Sequence, residues 1–208
     1  MADLIFYTNP MSRGRTVRWM LEEIGAPYET VILGYEGAMR TPDYLAINPM
    51  GKVPAITHHG IAVTEGAAIC TYLADAFPAA GLAPPPGDRS RGPYYRWLFF
   101  AAGPLESAMF GKALDLLPPP DKKAMSGFGS FDDAIAAMET AFAGGKYLCG
   151  DTFTAADLYV GALLGFGMGF NMLPKQPAFT EFVERVQSRP AYKRALEIDE
   201  AAMPKQEA

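Results

Sequence analysis

Apolar positions change period repeatedly along the first third of the chain. Leu4–Tyr7 is a short apolar run of strand length, after which Val17, Met20, Leu21 and Ile24 recur at i, i+3, i+4 and i+7. That spacing is one stripe of a helix, which Gly25 and Pro27 stop. Tyr28–Leu33, YETVIL, is rich in β-formers and predicts a second strand, whereas the polar, proline-bearing RTPDYLAINPMG after it allows only a short irregular helix. VPAIT and IAVT, separated by His58, His59 and Gly60, have the spacing of a hairpin. From Glu65 the stretch EGAAICTYLADAF puts Ile69, Tyr72, Leu73 and Ala76 on one helical face until Pro78. The predicted order is βαβαββα.

Strand patterns end there. Pro78–Asp88, PAAGLAPPPGD, cannot continue a helix and reads as a semi-rigid linker. Beyond it RGPYYRWLFFAAG and PLESAMFGKALDLL predict long apolar helices interrupted at Pro104, followed by SFDDAIAAMETAFAG. Thr154 and Asp157 fit a capping box that opens DLYVGALLGFGMGF, a stretch apolar nearly all round and so expected at the buried centre of a bundle. AFTEFVERVQSRP and AYKRALEIDEAA complete it as amphipathic helices. The expected division is an α/β domain over residues 1–79, a linker over 80–88 and an all-α domain over 89–208.

Composition narrows the class. A chain of 208 residues, half of them hydrophobic and a fifth charged, buries a sizeable core without staples. Its formal charge of -5 argues against attachment to nucleic acid or anionic lipid by a general positive field. Cys70 and Cys149 are the only cysteines, with no C-x-x-C or zinc-ligand spacing, so neither a disulfide framework nor a metal site is expected. Without a basic leader or a long apolar run, the expected compartment is the cytoplasm and no membrane span is expected. Adjacent His58 and His59, pointing to opposite sides of a hairpin, read as turn residues, and Cys70 and Cys149 as inert thiols. Arg13, Arg15 and Arg18, on one predicted helix of an acidic protein, read as ion-paired or as lining an anion site.

Local chemistry gathers at four places. Tyr7 and Ser12 offer hydroxyls where the first strand gives way to a helix; Ser12 is placed either to cap that helix or to present a donor at its positive end. Lys52 adjoins Val53-Pro54, a bond whose default is trans, since only about 5–6% of X-Pro bonds in folded proteins are cis. Glu65 and Gly66 open the third helix, where a carboxylate complements the macrodipole.

NPMGKVPAI and TEGAAICTYLAD in a βαβαββα domain, then a proline-rich linker and a helical domain with GDTFTAADLYVG, together resemble the cytosolic glutathione S-transferases, specifically the bacterial, serine-type members near the theta and beta classes. The resemblance spans nearly the whole chain. It implies a thioredoxin-like N-terminal domain that holds glutathione as co-substrate, an all-helical domain that shapes the pocket for a hydrophobic electrophile, and a two-fold homodimer active in detoxification. It implies further that Pro54 is cis and that Val53 pairs with the tripeptide backbone as an added strand would. Lys52 would meet the glycyl carboxylate, Glu65 the glutamyl ammonium, and the N–H groups of Gly66 and Ala67 the glutamyl carboxylate. Where the family usually carries Ser after the acid, this chain has Gly66, which removes one hydrogen bond worth about 0.5–1.5 kcal/mol. The thiolate would be held by Ser12 or Tyr7. Ser12 is favoured because a helix start adds positive potential, whereas strand alternation can turn Tyr7 into the core. Among the aromatic and Met-rich residues, Met11, Trp97, Phe100, Met109 and Phe166 are candidates to line the second pocket. Two other readings share the scaffold: a non-catalytic binding module, and a glutathione-dependent isomerase or dehalogenase.

Overall fold

The computed structural model describes residues 3–35 and 37–204. Strands β1 (Leu4–Thr8), β2 (Glu29–Ile32), β3 (Ala55–His58) and β4 (Ile61–Thr64) form a mixed sheet in the order β2-β1-β3-β4. β1 runs parallel to β2, as the crossover through helix α1 (Gly14–Ile24) requires, and antiparallel to β3, which makes a hairpin with β4. A short α2 (Pro42–Ile47) precedes β3, and α3 (Gly66–Ala76) follows β4. This is the thioredoxin-like βαβαββα order that the hydrophobic periods predict. β1 alternates as a half-buried strand must: Phe6 lies under the Arg18 guanidinium of α1, 4.9 Å from it, while Tyr7 turns to the other face against Tyr44 of α2.

The second compact unit is all-helical and spans Gly81–Ser188. It comprises α4 (Arg91–Phe100), α5 (Glu106–Ala113), α6 (Phe131–Thr140), α7 (Ala155–Gly169) and α8 (Pro177–Gln187). The expected break at Pro104 does not occur. Ala101–Leu105 is a π-helical turn that joins α4 to α5, and the wider turn accommodates the proline ring and its missing donor without ending the helix. α7 is the buried centre. Asp157, fully buried, accepts from the Thr154 N–H and hydroxyl, each at 2.8 Å, and from the Leu148 N–H at 2.7 Å, so its carboxylate ties the preceding loop to the helix start. Burial pushes its pKa up while those donors pull it down. Lower on α7, Gly161 meets α8 so closely that a Cβ there would lie 2.4 Å from Val186.

The last helix, α9 (Pro190–Ala201), departs from the expected division. It packs on α1, so that residues up to Ala80 and those from Arg189 onward form one compact unit. The reason lies in side chains whose partners are distant in the chain. Arg18, 2% exposed, donates to Asp199 Oδ1 at 3.2 Å, and its other arm reaches Tyr28 Oη at 3.0 Å and Thr30 Oγ1 at 2.8 Å. Arg189 holds Glu23 with two bonds of 2.6 and 2.8 Å, and Trp19 meets Tyr192 edge-on at 4.9 Å. His59 lies in the turn as expected, whereas His58 belongs to β3 and the two rings lie together rather than on opposite sides. His59 has φ +50°, which brings its ring to 4.0 Å from that of His58, and His58 ends β3, with Nδ1 2.9 Å from the Tyr72 hydroxyl.

Removing one partner of a buried ion pair leaves the other uncompensated. Asp199→Ala is therefore expected to lower unfolding free energy by about 3 kcal/mol, the low end of the range because Tyr28 and Thr30 still serve Arg18. Urea denaturation followed by tryptophan fluorescence checks this; a loss under about 1 kcal/mol would mean that the pair does not hold α9 in place.

Candidate functional site

Three strand ends converge at one end of the sheet. Ala55 at the start of β3 lies between Tyr7 of β1 and Thr64 of β4, so Val53-Pro54, Tyr7 and Glu65-Gly66 are brought to the same edge by register alone. The Val53-Pro54 bond is cis. Ser12 reaches the same end through the loop after β1, which is held tightly. Asn9, 5% exposed, donates through Nδ2 to Leu33 O at 2.8 Å and accepts the Met11 N–H at Oδ1 at 2.9 Å. Its carbonyl accepts both the Ser12 N–H, at 3.0 Å, and the Ser12 hydroxyl, at 2.7 Å. Ser12 Oγ in turn accepts the Gly14 N–H at 2.9 Å. The helix starts so close to the strand that a Cβ on Gly14 would stand 2.0 Å from Thr8 Oγ1. From the next turn Arg15 reaches back to the Pro10 carbonyl at 2.6 Å.

Ser12 is thus half-buried with its hydroxyl bonded in both directions, as a helix-start residue would be. Tyr7 is half-buried too, its ring 5.7 Å from that of Tyr44, in a cluster with Met39, Ala55 and Val53. Lys52 is exposed, and its carbonyl accepts from the Tyr44 hydroxyl at 2.6 Å and from Asn48 Nδ2 at 2.8 Å. Sequence reasoning missed Tyr44, Asn48 and Gly14, and it read Arg15 as ion-paired or lining an anion site where the side chain bonds the Pro10 carbonyl. The first two carry a readable signal, polar groups four residues apart just before Pro49, but nothing local shows which carbonyl they meet. Of the pocket candidates, Met109 and Trp97 are core residues, at 0% and 5% exposure. Burial pushes the Cys70 thiol up to about 12 and Cys149 up to about 11, so neither is a thiolate near neutrality.

Glu65 is the conformational outlier. It is exposed, precedes α3, and has φ +66° and ψ +119°, a region that residues with a side chain rarely adopt. Its carboxylate makes no capping bond to the helix it precedes. The site therefore presents an acid with no capping role beside the N–H groups of a helix start, across the sheet edge from Val53-Pro54.

Residues 11–76 match the family model of the glutathione S-transferase N-terminal domain, and residues 127–198 that of the C-terminal domain. The chain belongs to the glutathione S-transferase family. Glutathione S-transferase GST-4.5 of Xanthomonas campestris pv. campestris is 31% identical over 164 residues, 74% of this chain and 78% of that protein. The crystal structure of a glutathione transferase from Methylococcus capsulatus superposes with a TM-score of 0.77 at 29% identity, covering 95% of this chain and 99% of that one. A sphingomonad glutathione S-transferase, complexed with glutathione, has a TM-score of 0.75 at 28% identity, covering 94% and 98%. The thioredoxin-like domain followed by helices is the fold of these transferases. Among the described residues, no helix is long and apolar enough to cross a membrane.

Backbone strain of roughly 1–3 kcal/mol at a position like Glu65 exceeds the ~0.4–1 kcal/mol that glycine adds to the entropy of the unfolded chain. Glu65→Gly is accordingly expected to raise unfolding free energy by about 1 kcal/mol in urea denaturation; a destabilised variant would show that the conformation carries no strain.

Proposed function

We propose that this transferase binds glutathione along the Lys52–Pro54 edge and activates its thiol for attack on a hydrophobic electrophile. The observation that carries the reading is Glu65, held at positive φ with its carboxylate free of capping duty, beside the start of α3 and one sheet edge from Val53-Pro54. A zwitterionic γ-glutamyl group fits that place: its ammonium meets Glu65 and its carboxylate meets the N–H groups of Gly66 and Ala67. Val53 pairs with the cysteinyl backbone as a neighbouring strand would, and Lys52 meets the glycyl carboxylate.

The sulfur then lies toward the start of α1, where Ser12 is the donor. A free thiol has a pKa of about 8.5, and a donor at the positive end of a helix stabilises the anion. Ser12 acts as donor and not as base; its hydroxyl turns from the Asn9 carbonyl to the sulfur, and the thiol proton leaves to water. The thiolate forms the new S–C bond with the bound electrophile, and proximity supplies much of the rate gain. Tyr7 is the second candidate donor. We further propose that the protein works as a homodimer in the cytoplasm, in detoxification.

One observation favours the non-catalytic binding module: the Ser12 proton is already given to the Asn9 carbonyl at 2.7 Å, as in a residue that only organises the helix start. Titration of thiolate absorbance of bound glutathione separates the readings. In the wild type the bound thiol is expected to ionise at a pKa of about 6–7. Ser12→Ala should return it toward about 8.5 and Tyr7→Phe should leave it low. Return in Tyr7→Phe alone would transfer the role to Tyr7, and no depression in the wild type would leave the binding module standing.

A further inference from the structure

The turn before Val53-Pro54 hangs from two buried side chains of the α2 segment. Tyr44 of α2 and Asn48, the residue that ends it and whose N–H donates to the Tyr44 carbonyl at 2.8 Å, are 4% and 3% exposed. Both donate to one oxygen, the Lys52 carbonyl, at 2.6 and 2.8 Å, filling its two lone-pair directions. Asn48 also organises the residues between. Its Oδ1 accepts the Met50 N–H at 3.0 Å and its carbonyl the Gly51 N–H at 2.8 Å. Burial pushes the Tyr44 hydroxyl up to about 12, so it remains a donor throughout the neutral range.

We propose that Tyr44 and Asn48 are positioning residues for glutathione, acting through the Lys52–Val53 peptide. The physical link is planarity. In a trans peptide the N–H lies antiparallel to the C=O of the same plane, so two donors that fix the Lys52 carbonyl also fix the direction of the Val53 N–H. That N–H then points away from α2, toward the ligand edge. The ligand meets a donor already aimed, and the cost of ordering the turn is not charged to binding. Tyr44 also packs in the cluster that contains Tyr7 and Val53, so its ring is held independently of its hydroxyl. The proposal rests on the glutathione reading given above.

The test compares wild type, Tyr44→Phe and Asn48→Ser by titration calorimetry with glutathione and by steady-state kinetics with a chromogenic electrophile. Tyr44→Phe keeps the ring and removes only the donor; in Asn48→Ser the shorter hydroxyl side chain no longer reaches the Lys52 carbonyl. Each variant is expected to weaken glutathione binding roughly 2- to 12-fold, the worth of one hydrogen bond. The loss should fall on KM for glutathione, with kcat at saturating glutathione within about twofold of wild type. Wild-type protein that does not bind glutathione at all would overturn the glutathione reading and this proposal with it. Wild type that binds, with both folded variants binding equally well, would overturn the positioning role alone. So would a fall in kcat with KM unchanged, or a lowered thermal midpoint whose folded fraction binds as the wild type does. If one variant does not fold, the other decides.

Discussion

The buried side-chain amide of Asn9 governs the passage from the first strand to the first helix. A buried amide left without partners is costly, so each of its bonds constrains the chain around it. One reaches Leu33 beyond the end of β2, one takes the Met11 N–H, and the carbonyl of the same residue receives both donors of Ser12. The loop is thereby built from inside outward. Gly14 lets α1 begin against Thr8, and Arg15 closes the loop from above through the Pro10 carbonyl. Ser12 occupies its place because Asn9 does.

The same economy recurs beside it, at the strand ends. The register Tyr7–Ala55–Thr64 sets three strand ends side by side, and Tyr44 with Asn48 fixes the turn that enters the middle one. α1, whose start points into this region, is held along its length by Arg18, Trp19 and Glu23 against the final helix. Most of the polar side-chain bonds around these strand ends go to backbone groups. On the proposed reading, glutathione meets mostly main-chain directions, with Glu65, Lys52 and Ser12 as the side chains added to them.

How much of this was legible in the sequence depended on range. The strands and helices of the first unit follow from local hydrophobic period, and the α7 capping box from Thr154 and Asp157 three residues apart. The residues proposed to meet glutathione were legible only as short motifs whose order resembles a family. What stayed hidden required partners distant in the chain. Arg18 and Asp199 stand 181 residues apart, so nothing near either marks them as a buried pair that assigns α9 to the first unit. Pro104 signals a helix end by its missing donor, yet a π turn absorbs it, because flanking apolar residues such as Ala101 and Leu105 are wholly buried and hold the helix on both sides. His59 turns its ring onto His58 through a positive φ that sequence alternation does not encode.

The placement of α9 bears on the order in which the molecule can be completed. The helical unit lies inside the first unit in sequence, as an insertion between α3 and α9. During synthesis from the N-terminus, the sheet and α1 emerge first but cannot bury Arg18 or cover Trp19 until the segment from Arg189 has left the ribosome. The helical unit, contiguous in the chain, has all of its residues before then. Of the two units, the one whose sheet and α1 precede the helical unit in the chain is therefore completed after it.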